Sequence, residues 1–212
     1  MIDLYTWTTP NGRKISILLE ELGLPYSVHP VHIGKDEQFA PEFLAISPNN
    51  KIPAIVDHDG PDGAPISVFE SAAIAMYLCD KTSSSLLPQA PRARTAVLEW
   101  SMFQMASLGP MFGQLGHFVR FAKEDIPYAK TRYRDEVARI LGVMEKQLAD
   151  DEYLAGEYSI ADILCYPWVQ TLVDALAPQL PGLLDNTAHI EAWRAKIAAR
   201  PAVEAGMQVP VV

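Results

Sequence analysis

The sequence predicts a mixed α/β unit over residues 1–82, a linker at 83–90 and an all-helical unit over 91–212. Three observations carry this fold class. Short apolar stretches bounded by turn residues recur before residue 82, and after Pro91 no convincing strand pattern occurs. Between the two regions, Thr82-Ser83-Ser84-Ser85 reads as a linker, which Leu86-Leu87-Pro88 tacks onto the surface.

Ile2-Asp3-Leu4-Tyr5 reads as a first strand and Thr6 to Pro10 as a loop. Ile15, Leu18, Leu19 and Leu22 then recur at helical spacing, and Gly23 with Pro25 ends that helix. Tyr26-Ser27-Val28 opens a second strand that Val31 and Ile33 continue. A strand–helix–strand unit makes these two strands parallel. The polar stretch from Gly34 to Ser47 holds one short helix near Pro41-Glu42-Phe43-Leu44. Ile52-Pro53-Ala54-Ile55-Val56, the turn cluster between His58 and Pro65, and Ile66-Ser67-Val68-Phe69 form a hairpin. Glu70-Ser71 then opens a helix that ends near Lys81, giving the order βαβαββα.

In the second region Ala93, Ala96, Val97, Trp100 and Phe103 form one helical stripe, which Leu108-Gly109-Pro110 should kink or break. Tyr133, Val137, Ile140, Leu141, Met144 and Leu148 form the next, on a helix starting near Pro127. Ser159 with Asp162 reads as a capping box, aspartate replacing the commoner glutamate, ahead of Leu164, Cys165, Trp168 and Leu172. Ile190, Trp193 and Ile197 mark a fourth helix, closed by Arg200-Pro201.

Composition narrows the function classes. Apolar residues make up 49% of the 212, enough for a full core, and the net charge is −9 without a basic cluster, which argues against nucleic acid. No apolar run is read as membrane-spanning and no secretory leader is expected, so a cytoplasmic protein is predicted. Cys79 and Cys165 lie on apolar helical faces and read as buried reduced thiols. Neither a Cys-x-x-Cys nor a Cys/His pattern for zinc occurs, so no metal site is expected.

The stretch from Asn49 to Leu78 carries the clearest chemistry. Pro53 stands at the mouth of an apolar strand, and an X-Pro bond there can be cis. Ile52 can then offer its N–H and C=O to an extended peptide-like ligand. Ser71, at a helix N-terminus, offers a hydroxyl beside free backbone N–H groups, a fit for a carboxylate, and Glu70 adds a negative charge of its own. Together these suit a small zwitterionic peptide.

Asn-Lys-Ile-Pro before a hairpin, Glu-Ser before a helix and Ser-Ile-Ala-Asp-Ile in the helical half resemble the cytosolic glutathione transferases across essentially the whole chain. Thr9-Pro10-Asn11-Gly12 and the run from Ser47 to His58 are similar to the bacterial Nu-class proteins with glutathione-disulfide reductase activity. The resemblance implies a thioredoxin-like N-terminal domain, a cis proline at Pro53, a helical C-terminal domain and a homodimer. It implies no covalently bound cofactor, and glutathione, reduced or as its disulfide, as cosubstrate beside a small disulfide or electrophile.

A glutathione thiol has a pKa of about 8.5, so the site must stabilise the thiolate. The resemblance places Thr9 and Asn11 beside the sulfur; read alone, either one caps the first helix. Tyr5 competes as a thiol donor, or else packs as a sheet aromatic. By the same resemblance, Glu70 takes the γ-glutamyl ammonium and Ser71 its carboxylate, while Ile52 pairs with the cysteinyl backbone. Lys51 and Gln38 match contacts near the glycyl end and the second half of the ligand, and Arg132 matches an arginine that arrives from the neighbouring subunit. His117, Phe118 and Phe121 either line a second-substrate pocket or pack between helices, and His29 and His32 read as solvent-facing strand residues. The expected function is glutathione-dependent disulfide reduction with no protein cysteine. Conjugation to electrophiles and a non-catalytic binding module of the same fold are the alternatives.

Overall fold

The computed structural model describes residues 1–212, which fall into two compact units, Met1–Leu87 with Ala199–Val212, and Pro88–Ala198.

In the first unit β1 (Ile2–Thr6), α1 (Pro10–Glu21) and β2 (Tyr26–Pro30) form the expected strand–helix–strand, with β1 and β2 parallel. After α2 (Pro41–Leu44), β3 (Ala54–Asp57) pairs antiparallel with both β1 and β4 (Ile66–Phe69). The sheet order is β2-β1-β3-β4, and α3 (Ser71–Thr82) follows. This is the thioredoxin-like arrangement. Strand β1 alternates buried and half-buried residues, so Ile2 and Leu4 face the core while Asp3 and Tyr5 face the other side. Helix α1 buries Ile15, Leu18 and Leu19 completely, each contributing about 1.5–3 kcal/mol relative to exposure.

Two expectations change here. The second strand ends at Pro30, which lacks the N–H needed to continue a ladder, and Ile33–Lys35 is a 3₁₀ turn instead of more strand. The C-terminal tail, expected with the helical region, belongs to the first unit: α9 (Pro201–Met207) packs on α1. A Cβ on Gly206 would lie 2.5 Å from the Ile17 backbone, so only glycine allows this approach, and Ser16 Oγ donates to the Gly206 carbonyl at 2.7 Å.

The second unit is all helical, with α4 (Pro91–Phe103), α5 (Gly109–Gly116), α6 (Pro127–Asp150), α7 (Ile160–Thr171) and α8 (Ala188–Ala198). Pro110 does not break the chain. A wide π turn at Gln104–Leu108 joins α4 directly to α5 and absorbs the proline without leaving helical dihedrals. Of the α4 stripe only Val97 is fully buried; the polar Ser101 and Gln104 are buried beside it, Ser101 donating to the Val97 carbonyl at 2.7 Å. The Ser159–Asp162 capping box is present. Contrary to expectation, the stretch Ile160–Gln179 has the length and the mean hydropathy, 1.2, of a bilayer-spanning helix. Its window is 61% buried inside the protein, because Ile163, Leu164, Val169 and Leu172 form part of this unit's core.

Candidate functional site

Strand register brings several of the singled-out residues to one end of the sheet. His29, Tyr5, Ala54 and Phe69 stand in one row across the four strands. One step past that row the chain reaches Thr6 and the turn to Thr9, Pro53, and Glu70. The first turn of α1, the Ile52–Pro53 bond and the first turn of α3 therefore share this end. Strand β2, parallel to β1, also leaves from it toward Gln38.

Thr9 caps α1: its backbone is extended (φ −120°, ψ 158°), and Oγ1 accepts the Gly12 N–H at 3.1 Å. A hydroxyl has two acceptor lone pairs and one proton, so the cap leaves the O–H able to donate. The helix-capping and thiol-donor readings of Thr9 are thus compatible. Pro10 takes the first helical position and the half-buried Asn11 the second. Gly12 is demanded by space, since a Cβ there would lie 2.3 Å from the Trp7 carbonyl oxygen.

The Ile52–Pro53 bond is cis. Ile52 packs with Tyr5 and Ile46 against Val31, Phe43 and Ala54. Ahead of it, Ser47 Oγ donates to the Lys51 carbonyl at 2.8 Å and Asn50 sits at φ 48°, which shapes the loop. The Lys51 side chain is exposed.

Glu70 is exposed and sits at φ 72°, ψ 115°, a backbone that side-chain-bearing residues rarely adopt. Its Oε1 accepts from Asn49 Nδ2 at 3.3 Å. Ser71 is the first residue of α3 and is 4% exposed, and its Oγ accepts from Lys14 Nζ at 3.3 Å. Lys14 is itself 1% exposed. Spacing in the sequence points to neither the Asn49–Glu70 nor the Lys14–Ser71 contact. The signal for Lys14 was its place four residues before Leu18, on the apolar stripe of α1.

Tyr5 fits the packed-aromatic reading. Its ring stacks on His29 (centroids 4.8 Å, 17° between planes) and lies 6.2 Å from Phe43. Burial pushes its phenol up, with the Asp3 carboxylate adding to the shift, so it is a weaker acid than an ordinary tyrosine. His29 is exposed, as expected, and lies 3.3 Å from Asp3 Oδ1. His32 departs from expectation: past the strand end it is half-buried against Trp7, centroids 4.2 Å apart, and its Nδ1 is buried without a hydrogen-bond partner. Gln38 is half-buried in a 3₁₀ turn, and its Oε1 is likewise unpartnered.

Arg132 belongs to the second unit, exposed on α6 in a cleft of about 630 Å³ with Met111, Tyr128, Glu136 and Arg139 among its walls. Glu136 is held by Arg139 through two hydrogen bonds of 2.7 and 2.9 Å. Phe118 stacks on Tyr133 (5.5 Å, 12°) and packs edge-on to His117, whereas Phe121 is 69% exposed. The first two thus take part in aromatic packing within the unit.

Comparison with known proteins places this geometry. Residues 8–81 match the family model for the glutathione S-transferase N-terminal domain, and residues 108–201 the model for the C-terminal domain. The chain is 49% identical to the disulfide-bond oxidoreductase YfcG of Escherichia coli, over 95% of this chain and 92% of that protein. It is 37% identical to the disulfide-bond oxidoreductase YghU of the same organism, over 97% and 73%. Among solved structures, a glutathione transferase from Burkholderia graminis holds two glutathione molecules per subunit; it is 45% identical, with TM-score 0.95, over 99% of this chain and 88% of that one. One from Pseudomonas putida holds one glutathione disulfide per subunit and is 44% identical, with TM-score 0.94, over 99% and 91%.

Proposed function

Because the chain belongs to the glutathione transferase family, we propose that it is a glutathione-dependent disulfide-bond reductase of the bacterial Nu-class kind, using the thiolate of bound glutathione and no cysteine of its own. The observation that carries this reading is the convergence of Thr9, Ile52–Pro53 and Glu70-Ser71 on one end of the sheet. The relatives named as disulfide-bond oxidoreductases and the neighbour holding glutathione disulfide support it.

In this reading Ser71 and the N–H groups of α3 take the γ-glutamyl carboxylate, and Glu70 takes the ammonium. The Ile52 backbone pairs with the cysteinyl residue. Thr9, through its free O–H, and Asn11, through its amide, donate to the sulfur, aided by the positive end of α1. The thiolate attacks one sulfur of the substrate disulfide; the S–S bond breaks and the departing thiolate takes up a proton. A second glutathione attacks the resulting mixed disulfide, so that glutathione disulfide and two substrate thiols leave. Gln38 and Lys51 hold the distal half of the ligand, and Arg132 reaches it from a second copy in a homodimer. Glutathione is the cosubstrate throughout, and the reducing cytoplasm is the compartment that keeps it supplied.

Turnover of the purified protein with glutathione and a simple dialkyl disulfide, alongside an aryl halide, tests the proposal. Faster disulfide reduction supports it. Conjugation alone replaces it with the transferase reading, and binding of glutathione without either reaction replaces it with a binding module.

A further inference from the structure

We infer that Arg13 selects the disulfide substrate by taking a carboxylate that the disulfide carries, so that anionic disulfides are preferred to neutral or cationic ones. This rests on the glutathione reading above and adds the charge class of the second substrate. Arg13 is the fourth residue of α1, and its N–H donates to the carbonyl of the Thr9 cap at 3.1 Å. The residue is half-buried, its Nε is buried without a hydrogen-bond partner, and its guanidinium takes part in no ion pair. The first turn of α1 holds no acidic residue. An arginine does not shed its proton in a protein, so this charge is permanent. It stands near the positive end of the helix dipole, where a cation is disfavoured. The chain thus keeps a cation where it costs stability and supplies no anion for it. A ligand carboxylate answers both the charge and the unmet Nε donor, because a guanidinium can give such a group two parallel N–H bonds.

The neighbouring helices fix the side of α1 on which Arg13 lies. Gly206 sits against Ile17, and Arg200, just ahead of α9, pairs with Glu21 at the end of α1 at 2.7 Å, so α9 runs antiparallel to α1. Arg13 precedes Ile17 by one turn and shares its stripe. Helix α9 ends at Met207, one residue past Gly206, and therefore stops short of the Arg13 turn, about 6 Å beyond Ile17. Helical side chains lean toward the N-terminus, which carries the Arg13 guanidinium back toward the level of Thr9. Lys14 stands about 100° further round α1 and meets Ser71 of α3. A glutathione held at Ser71 with its sulfur at Thr9 thus approaches the end of α1 from the α3 side. Whatever lies beyond that sulfur continues toward the side that carries Arg13. In a disulfide under attack, the group beyond the sulfur is the substrate. Arg13 takes no part in the exchange of electrons or protons; it holds the substrate by its charge.

Three symmetric disulfides of similar size test this at saturating glutathione: dithiodipropionate, hydroxyethyl disulfide and cystamine, which are anionic, neutral and cationic. Each kcat/KM is divided by the rate of the uncatalysed reaction of glutathione with the same disulfide, which removes their differing reactivity. The wild type should rank anionic over neutral over cationic. Arg13→Met keeps an apolar stem without the charge. It should lose about tenfold on the anionic disulfide, the low end for a hydrogen bond between charged groups because the residue is open to water in part. The neutral disulfide should stay within about twofold. The loss should appear in the KM for the disulfide, with the KM for glutathione and the pH profile of kcat unmoved. Arg13→Lys should keep the ranking at reduced strength, since the charge stays without the planar fork, and Arg13→Glu should invert it. Equal losses on all three disulfides, a ranking unchanged in Arg13→Met, or a wild type without preference for the anionic disulfide would overturn the role of Arg13. Should Arg13→Met fail to fold, an unchanged ranking in Arg13→Gln would overturn it as well. A wild type that reduces none of the three defeats the underlying functional reading, a result separable from the failure of Arg13 alone.

Discussion

Asn49 donates its side-chain amide to the Glu70 carboxylate, Nδ2 to Oε1 at 3.3 Å, tying the loop before Pro53 to the entrance of α3. Glu70 is exposed, so this contact does not stabilise the fold by much; it aims the carboxylate. Glu70→Ala should weaken glutathione binding by about 1.5–3 kcal/mol, and Asn49→Ala by about 0.5–1.5 kcal/mol, the ranges for charged and neutral hydrogen bonds. The backbone at Glu70, φ 72°, adds a second readout. Glu70→Gly should lose the same affinity yet raise stability by about 1 kcal/mol, because glycine relieves a strain of about 1–3 kcal/mol. Calorimetry and urea unfolding on the same variants check both; unchanged affinity in Glu70→Ala removes the residue from the site.

Thr9 should carry two separable effects. Thr9→Ala removes a helix cap, costing about 1 kcal/mol of stability, and with it the O–H proposed to donate to the thiolate. Turnover should fall most near neutral pH and recover in part as pH rises and glutathione ionises without help. Thr9→Ser should restore both. Asn11→Ala should show the pH effect. Tyr5→Phe should matter less, since the Tyr5 ring is packed on His29 and its phenol is pushed up by burial. A pH–rate series on the four variants decides; loss of activity in Tyr5→Phe with Thr9→Ala intact makes the site tyrosine-type.

The fold was legible where local chemistry and periodicity agreed. Helix α1, the hairpin after Pro53 and the Ser159–Asp162 cap all declare themselves through spacing and capping residues. Long-range relations were not legible. Nothing near Gly206 announces that its missing Cβ lets α9 lie on Ile17, a partner almost the whole chain away. Pro110 signals a helix breaker locally, yet a π turn absorbs it. The site followed the same division. Thr9, Pro53 and Ser71 sit at element ends that motifs mark, whereas Lys14 meets a hydroxyl 57 residues on.

Asp162 should give the second unit a distinct pH dependence. Burial pushes its carboxyl up to about 6, although Trp193 Nε1, the Leu154 and Ser159 N–H groups and Ser159 Oγ all donate to it. A folded pKa above the unfolded one means that the folded state holds the proton longer. Its contribution to stability therefore falls as pH rises from about 4 to about 6 and is constant above that. Asp162→Asn cannot titrate and turns an N–H₂ toward donors, so it should be the less stable protein at acid pH. The stability gap between wild type and Asp162→Asn should shrink between pH 4 and pH 6, as measured by urea unfolding at each pH. A gap that widens over that interval would mean that the four donors outweigh burial.

Cys79 and Cys165 are both fully buried, each with 0% exposure. Thiols buried this completely are out of reach of reagents. The paired change Cys79→Ala and Cys165→Ala should keep disulfide turnover within about twofold while lowering stability, and the native protein should resist a thiol-blocking reagent. Lost turnover in a paired variant with an unchanged circular dichroism spectrum would bring a protein thiol into the mechanism.

Arg132 tests assembly and function together. It stands exposed on α6, in a cleft where Glu136 is already engaged by Arg139. A guanidinium in that setting can turn to a carboxylate brought from outside the chain. If it reaches a ligand carboxylate held by a second copy, Arg132→Ala should raise KM several-fold and leave the pH profile in place, since it acts on binding and not on sulfur. Arg132→Lys should recover part of the loss, because the charge returns without the planar fork. The geometry also needs two copies. Sedimentation at the concentration of the assay should give a dimer. Mixing Arg132→Ala with Glu70→Ala should then restore activity, because each mixed dimer keeps one site with both residues native. A fully active monomer, or mixtures no better than their components, would confine Arg132 to the surface of its own subunit.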